Sequence, residues 1–516
     1  MAYRNGDDAV LGRTDSSNKR LSAYAAPPRF LPISIPAIHP GLDRRWPPSA
    51  FPELDCVRDR LPSHVIAAVE HRAVEIGIGA ERVLIASGFM NEDHYVYALA
   101  RSLGLEYETF DGRERACCPL TNQRLLLAAR VGLLPLINDG EDVFVLAPHS
   151  ARQFIDLVAR YPRAQFRLTS SARLNLFIAD EGRAAVANEA TSVLRSRWPR
   201  LCAGFSDRRF RVVAAALSAL LLGTLVASPT ALVTVQAMLA VGFLGALGVR
   251  LFGSYLAPPR SPTQHISDRE LPVYTVIVAL YHERKAVEGL VASLRDLDYP
   301  PEKLDIKLVI EPDDLDTWRA LADLKLSPPF EIIIAPQELP RTKPKALNAA
   351  LLFARGAFTV VFDAEDRPER DQLRRALDMF QANGPELACV QAALTIDNTK
   401  DSWLARLFTA EYAAQFDVFL PGLASLRLPL PLGGSSNHFR TALLHKVGAW
   451  DPYNVTEDAD LGMRLARFGY RATVIGSTTY EEAPARTGPW LRQRTRWMKG
   501  WMRLSSTNRS LGISMA

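Results

Sequence analysis

The chain lacks the loops on which several common nucleotide enzymes are built. No G-x-x-x-x-G-K-[ST] segment occurs in its 516 residues, so a secretion-type ATPase has nothing to cradle its phosphates. No G-x-G-x-x-G follows the apolar run VYTVIVAL, which removes the pyrophosphate turn of a nicotinamide-dependent oxidoreductase. Cysteine is scarce. The five present, Cys56, Cys117, Cys118, Cys202 and Cys389, show no C-x-x-C spacing, which argues against a disulfide framework and a zinc site and fits a reducing cytosol. Charge of either sign is in little excess: a net +5 with dispersed Lys and Arg leaves no nucleic-acid footprint. The first residues also lack the charged-then-apolar order of a secretory signal. Stretches such as AAPPRFLPISIPAIHPG carry Pro without periodicity and read as a mobile arm over 1–55.

Charge is missing altogether from Val212 to Val249, a run of Ala, Leu and Val broken only at Ser228-Pro229-Thr230. A helix rises ~1.5 Å per residue and a bilayer's hydrocarbon core is ~30 Å thick, so each half is about long enough to span. Arg208, Arg209 and Arg211 precede the run and Arg250 follows it, which places both flanks in the cytoplasm. The expectation is a two-helix transmembrane hairpin over 212–249 in the cytoplasmic (inner) membrane, multi-pass, with both large domains facing the cytosol. The competing reading is a buried helical pair in a soluble core, although soluble helices seldom stay uncharged on every face.

A chain of this length divides into two or three domains. Residues 56–205 mix helical periodicity, as in SHVIAAVEHRAVEIG, with strand-like DVFVLAP, and predict a small α/β or α+β domain. Residues 268–505 alternate strand-like runs (VYTVIVAL, DIKLVIE, FEIIIAP, FTVVFDA, LACVQAA) with amphipathic helical runs. Such βα alternation predicts an α/β domain with a mainly parallel, Rossmann-like sheet and ligands at the carboxyl ends of its strands. Residues 506–516 are a tail.

Chemistry concentrates in that last domain. FTVVFDAEDRP ends a strand with Asp363, Glu365 and Asp366 at its tip. Crowded carboxylates repel unless solvated or neutralised, and hard oxygen ligands suit Mg2+ or Mn2+ beside a diphosphate; a plain acidic loop is the alternative. Thr456-Glu457-Asp458 opens the run DADLGMRLARFGY, where acidic residues also serve as helix caps. In LRQRTRWMKGW, Gln493, Arg496 and Trp497 fall at i, i+3 and i+4 and share one face of a helix. The same composition suits an interfacial amphipathic helix.

In this order the motifs resemble family 2 of the glycosyltransferases, in the membrane-bound group of cellulose and hyaluronan synthases. The resemblance implies a GT-A fold and an inverting transfer of sugar from a nucleotide-sugar, a UDP-sugar above all, to a glycan or lipid-linked acceptor. His282 and Glu283 in VALYHE, and Asp313 or Asp314 in IEPDDLD, match nucleoside contacts; Lys343 in RTKPKALNAAL matches a phosphate contact. Asp363 and Glu365 match the D-x-D metal motif, with Glu in place of the usual second Asp. Asp458, with Glu457 beside it, matches the general base of T-E-D, and Gln493, Arg496 and Trp497 match Q-x-x-R-W. The implied roles are proton acceptance by Asp458, compensation of phosphate charge by Arg496 and stacking of the acceptor sugar on Trp497.

Residues from Leu61 to Pro148, notably VLIASGFMNEDHYVYALARSLGLEYETF, resemble the N-terminal domain of type II secretion ATPases, as paired with family 2 enzymes in phage-adsorption-related glycosyltransferases. That likeness implies either cyclic di-GMP binding or docking of a partner protein. The chain ends at Ala516, shortly after Trp501, which leaves little material for the channel helices of processive synthases. The expectation is therefore limited sugar addition or reliance on a partner. The alternative is a catalytically impaired, truncated regulatory or docking membrane protein.

Overall fold

The computed structural model describes residues 50–138, 140–148, 150–161, 165–204, 208–256 and 266–508. Most of the expected arm and tail, residues 1–49 and 509–516, therefore lie outside the described residues. The core begins ahead of position 56: Pro52–Leu54 forms a 3-10 turn, and Leu54 and Val57 are fully buried.

Two compact units cut across the segment boundaries read from the sequence. The first comprises 1–190, 265–288 and 299–359. Its N-terminal part carries β1 (Glu106–Tyr107), β2 (Leu133–Asn138), β3 (Glu141–Leu146) and β4 (Phe166–Leu168), in the order β1-β4-β3-β2. β2 and β3 form an antiparallel hairpin, and β4 pairs parallel with β1 and β3. Helices Ser63–Ile76 and Glu92–Ser102 bury Val65, Val69, Ala73, Tyr95 and Leu99 with Leu54 and Val57 in one apolar cluster. The same unit holds three parallel strands, β5 (Tyr274–Leu280), β6 (Leu304–Ile310) and β7 (Phe330–Ile334). β6 is buried throughout, as parallel strands covered on both faces are.

Two of the β6 residues are charged. Asp305 and Lys307 are fully buried 2.9 Å apart. Asp305 also accepts from Thr275 at 2.9 Å and from Arg355 Nε at 2.9 Å, and Lys307 pairs with Glu331. Burial alone would raise the Asp305 pKa, but Arg355 and Lys307 outweigh it and hold the carboxyl well below the usual carboxylate range. Glu331 in turn accepts from Asn175 at 3.0 Å, and the Asn348 amide donates to the Ala190 carbonyl at 2.9 Å. The N-terminal sheet and the β5–β7 layer are thereby one packed body.

The second unit comprises 191–264, 289–298 and 360–516. β8 (Phe358–Phe362) runs through the boundary: Ala357 N–H donates to Val273 in the first unit, and Val361 C=O accepts from Ser436 in the second. With β9 (Arg367–Pro368), β10 (Leu387–Ile396), β11 (Asn437–Arg440) and β12 (Arg471–Glu481), the strand order in this unit is β8-β11-β10-β12-β9. β10 and β12 are parallel, while β11 and β9 run antiparallel to their partners. The sheet is thus mixed, where alternation in the sequence implied a mainly parallel one, and it fits a GT-A-like α/β fold. All five strand-like runs read from the sequence are strands. β9, β11 and β12 escaped because they are short or rich in hydroxyls: Ser477 and Thr479 on β12 are buried, satisfied by Gln372 and Ser436.

The charge-free stretch forms the helices Arg208–Ala227 and Pro229–Tyr255, separated by Ser228, whose hydroxyl caps the second at Ala231 N. Among the described residues one helix, Pro229–Tyr255, is long and apolar enough to cross a membrane, and the expected hairpin of two spans is matched to that extent.

His438 on β11 is fully buried, with Nε2 3.2 Å from Gln372 Oε1. Burial pulls its pKa down to about 3. Because the unfolded chain binds this proton near pH ~6.5 and the folded chain does not, His438 contributes stability above that pH and loses it as pH falls toward 3. His438→Gln is expected to flatten the acid limb of a stability-versus-pH curve, whose slope from this group is about 1.4 kcal/mol per pH unit. Denaturant melts at pH 4, 5, 6 and 7 check it; parallel curves for both proteins refute it.

Candidate active site

In the first unit the carboxyl end of β5 turns sharply at His282, which sits in the left-handed region at φ 60°. Asp314 holds that turn. Its Oδ2 accepts from the His282 backbone N–H, and its Oδ1 caps helix Leu315–Asp323 by accepting from Thr317 N at 3.2 Å. The Thr317 hydroxyl accepts from Glu283 N at 3.0 Å. Asp314 and Glu283 are buried, whereas Asp313 is exposed and pairs with Arg341 at 2.6 Å. Of the two aspartates left open by the sequence, Asp314 shapes the turn and Asp313 offers a carboxylate at the surface.

Lys343 begins helix Lys343–Leu351 and is half-buried. Two residues on, Lys345 is fully buried, donating to the carbonyls of Pro336 at 2.6 Å and Glu338 at 3.2 Å and lying 3.5 Å from Glu311. Burial pulls the Lys345 pKa down and pushes Glu311 up, each opposed by the other's charge. Arg341 and Lys345 were missed at the sequence level; K-P-K alone does not say which lysine turns inward.

The acidic triplet lies in the second unit at the tip of β8. Asp363 and Glu365 are half-buried, and Asp366 is buried. Asp366 Oδ2 accepts from Asp363 N at 2.7 Å and from the Ser435 hydroxyl, folding the strand end into a tight turn. Burial, with Asp363 and Glu481 adding, pushes the Asp366 pKa well up. Among the described residues no group of three or more His, Cys, Asp or Glu could hold a metal ion.

Ser435 connects this turn to the T-E-D segment. A Cβ on the adjacent Gly434 would lie 3.4 Å from Asp458 Oδ2, so the carboxylate lies over the bare backbone. Gly433 N donates to Gln391 Oε1 at 2.8 Å, and the Gly433 carbonyl accepts from Asn437 at 2.6 Å, which fixes the loop. Helix Glu457–Arg467 starts beneath it with Glu457 buried. The L-G-G-S-S run carried no weight in the sequence reading, though adjacent glycines between apolar segments signal a close backbone approach.

Q-x-x-R-W lies on a helix, Thr487–Asn508. This helix meets the T-E-D segment through Gly500, where a Cβ would fall 2.4 Å from Thr456 Cγ2. Burial lowers the Arg496 pKa and the Glu457 carboxylate opposes that. Gln493 Oε1 is buried with no hydrogen-bond partner among the described residues. Trp497 packs against Phe408 at 6.2 Å, and the Arg494 guanidinium lies 4.8 Å from its ring centroid while pairing with Glu411. Arg494 was also missed, hidden as an ordinary basic residue between motif positions.

Gly500→Ala is expected to push the two helices apart, costing about 1–3 kcal/mol as overpacking does and lowering turnover with it. Thr456→Gly removes the obstructing atoms and should recover part of the stability in the double variant. A double-mutant cycle of unfolding free energies tests this, and strict additivity would rule the contact out.

The pattern of Glycosyl transferase family group 2 matches residues 358–515. A beta-monoglucosyldiacylglycerol synthase of Nostoc sp. is 26% identical over 61% of this chain and 66% of its own length. The probable glycosyltransferase YdaM of Bacillus subtilis is 24% identical over 45% of this chain and 56% of its own. The chain thus spans no more than about two thirds of the curated relatives it matches. Among solved structures, the mannosyltransferase PcManGT from Pyrobaculum calidifontis, in complex with GDP-Man and Mn2+, overlaps 54% of this chain and 76% of its own with a TM-score of 0.42 and 21% identity. Residues 358–515 thus carry the glycosyltransferase family 2 pattern expected from the motifs.

Proposed function

We propose that the protein is a membrane-held, inverting glycosyltransferase that moves a sugar from a nucleotide-sugar, UDP-linked, to a glycan or lipid-linked acceptor. The observation that carries this reading is the convergence within the second unit: Asp366 and Ser435 tie the acidic triplet to Gly434, Gly434 underlies Asp458, and Gly500 brings the Q-x-x-R-W helix onto Thr456. An impaired, purely regulatory chain would have no reason to keep a buried acid and two close glycine approaches around these motifs.

The residues of the first unit suit the donor's nucleotide. His282 and Asp313 are exposed for the nucleoside, while Arg341 and Lys343 supply cations for its phosphates. Asp363 and Glu365 offer hard oxygen ligands for Mg2+ or Mn2+. As they are only two, the diphosphate itself would complete the coordination. When bound, such an ion supplies Lewis-acid stabilisation of the leaving diphosphate. Asp458 takes the proton of the acceptor hydroxyl, and Arg496, already half-desolvated, compensates phosphate charge. Trp497, held by Arg494 and Phe408, would stack on the acceptor sugar. The helices Arg208–Ala227 and Pro229–Tyr255 would hold the chain in the cytoplasmic membrane. The name of the Nostoc relative, which refers to a glucosylated diacylglycerol, supports an acceptor of lipid type. The N-terminal sheet enters as a support for β5–β7, and no ligand is assigned to it.

A screen of UDP- and GDP-sugars for turnover by membranes containing the protein tests the reaction class. Asp458→Asn is expected to lower kcat by about 10²–10⁴ and leave the donor Kd within about twofold, since only proton removal is lost. Calorimetry showing donor binding abolished instead would give Asp458 a different role. Asp363→Ala should remove the metal-dependent part of nucleoside diphosphate binding; equal affinity with Mn2+ and with a chelator in both proteins would refute the metal assignment.

A further inference from the structure

A second cavity lies at the opposite end of the second unit's sheet. Its volume is about 560 Å³, and it is walled by Leu387 and Arg471, the first residues of β10 and β12, with Asn383, Tyr470 and the segment from Ala424 to Leu430. The acidic triplet and Glu481 sit at the carboxyl ends of their strands, so this cavity is separate from the site described above.

Two arginines line it. Arg471 donates to the Asn383 carbonyl at 3.2 Å and lies 3.6 Å from the exposed Glu386 carboxylate, a loose pair. Arg427 has no ion pair or side-chain hydrogen bond among the described residues, and its backbone is unusual. Helix Leu420–Ser425 ends in a pair of bonds, Leu428 N to Leu423 O at 2.9 Å and Arg427 N to Ala424 O at 3.0 Å. Such an end places one residue in the left-handed region, where glycine is preferred. Here that residue is Arg427, at φ 55°. A cation held at strain, facing a cavity with a second cation, is better explained by a ligand than by packing.

The surroundings identify the ligand's other half. Leu426 and Leu428 flank Arg427 and are 39% and 44% exposed. Helix Leu420–Ser425 meets the apolar helix Pro229–Tyr255 at its last turn: a Cβ on Gly422 would lie 2.6 Å from Gly253 Cα, and Arg250 lies 5.3 Å from the centroid of Phe419. Tyr255, 87% exposed, ends that helix, as aromatic residues do where a helix leaves a bilayer. We infer that this cavity binds the phosphate headgroup of an anionic phospholipid, with Arg427 and Arg471 on the phosphate and the exposed leucines against the acyl region. The assignment rests on the membrane reading for its choice of lipid over free phosphate.

The test is calorimetric titration of the detergent-solubilised full chain with short-chain phosphatidylglycerol, short-chain phosphatidylcholine and inorganic phosphate. Phosphatidylglycerol should bind most tightly, and Arg427→Gln or Arg471→Gln should each weaken it on the order of tenfold, the worth of one charge-assisted contact. Arg427→Gly separates function from folding: it relieves the left-handed strain, so thermal stability should hold or rise while lipid affinity falls like that of Arg427→Gln. Unchanged affinity in the variants overturns the inference, as does inorganic phosphate binding as tightly as the lipid. Alkaline extraction of native membranes tests the membrane reading independently, because the titration needs no bilayer.

Discussion

Burial of a single carboxyl organises the second unit. Asp366 lies in the interior one turn beyond β8, where an acid finds no water, and it is tolerated only because the Asp363 backbone and the Ser435 hydroxyl both donate to it. Those bonds force the chain to reverse at the strand tip, leaving Asp363 and Glu365 partly open on the same short segment. They also draw in Ser435, and with it Gly434, which accommodates Asp458. Neighbouring Asp363 and Glu481 raise the Asp366 pKa further, so negative potential accumulates where a cation and a diphosphate would be handled. The raised pKa keeps Asp366 neutral to higher pH, which limits the like charge gathered at this point.

The Q-x-x-R-W helix answers that potential from the other side of the T-E-D segment. Arg496 is held near Glu457 in a partly desolvated setting, where a charge interacts more strongly than in water. Trp497 is fixed by neighbours on its own helix and on helix Trp403–Tyr412: Arg494 covers it, is anchored by Glu411, and also contacts Trp490 at 5.6 Å from the ring centroid. A planar guanidinium held against the ring and tied to a carboxylate leaves the Trp497 side chain little freedom. Tyr412, half-buried and with its pKa raised by desolvation and by Glu481, links this aromatic group back to the acidic end of β12.

Much of the fold was legible because buried strands are written as mainly apolar runs, as β5, β6, β8 and β10 are; β7 reads the same way although it is only half-buried. β11 and β12 do not, since Asn437, His438, Ser477 and Thr479 are buried through hydrogen bonds that only tertiary neighbours supply. Motif order along the chain named candidate site residues but not their surroundings: Asp313 and Asp314 are adjacent letters with different burial, Lys345 lies two positions from the lysine singled out, and Arg494 is held through Glu411. A sequence states which groups are available, but not which of two neighbours turns inward. No composition shift reveals, either, that Asp305 of β6 holds Arg355 and that Lys307 pairs with Glu331, which accepts from Asn175.

The apolar helix and the glycine loop are joined by a stretch of unusual geometry. Ala413–Phe419 is a π-helix between the helices Trp403–Tyr412 and Leu420–Ser425, and such bulges are conformationally costly, kept mostly at functional sites. Phe416 from this stretch packs onto the loop so closely that a Cβ on Gly433 would meet its ring at 2.8 Å. Three residues on, Phe419 lies under Arg250 of the helix Pro229–Tyr255. The wider turn of the π-helix is what lets these two rings reach a loop beside Asp458 and the end of the apolar helix at once. The end of the apolar helix is thereby connected to Gly433 through a few residues, which makes that helix part of the scaffold around the glycine loop.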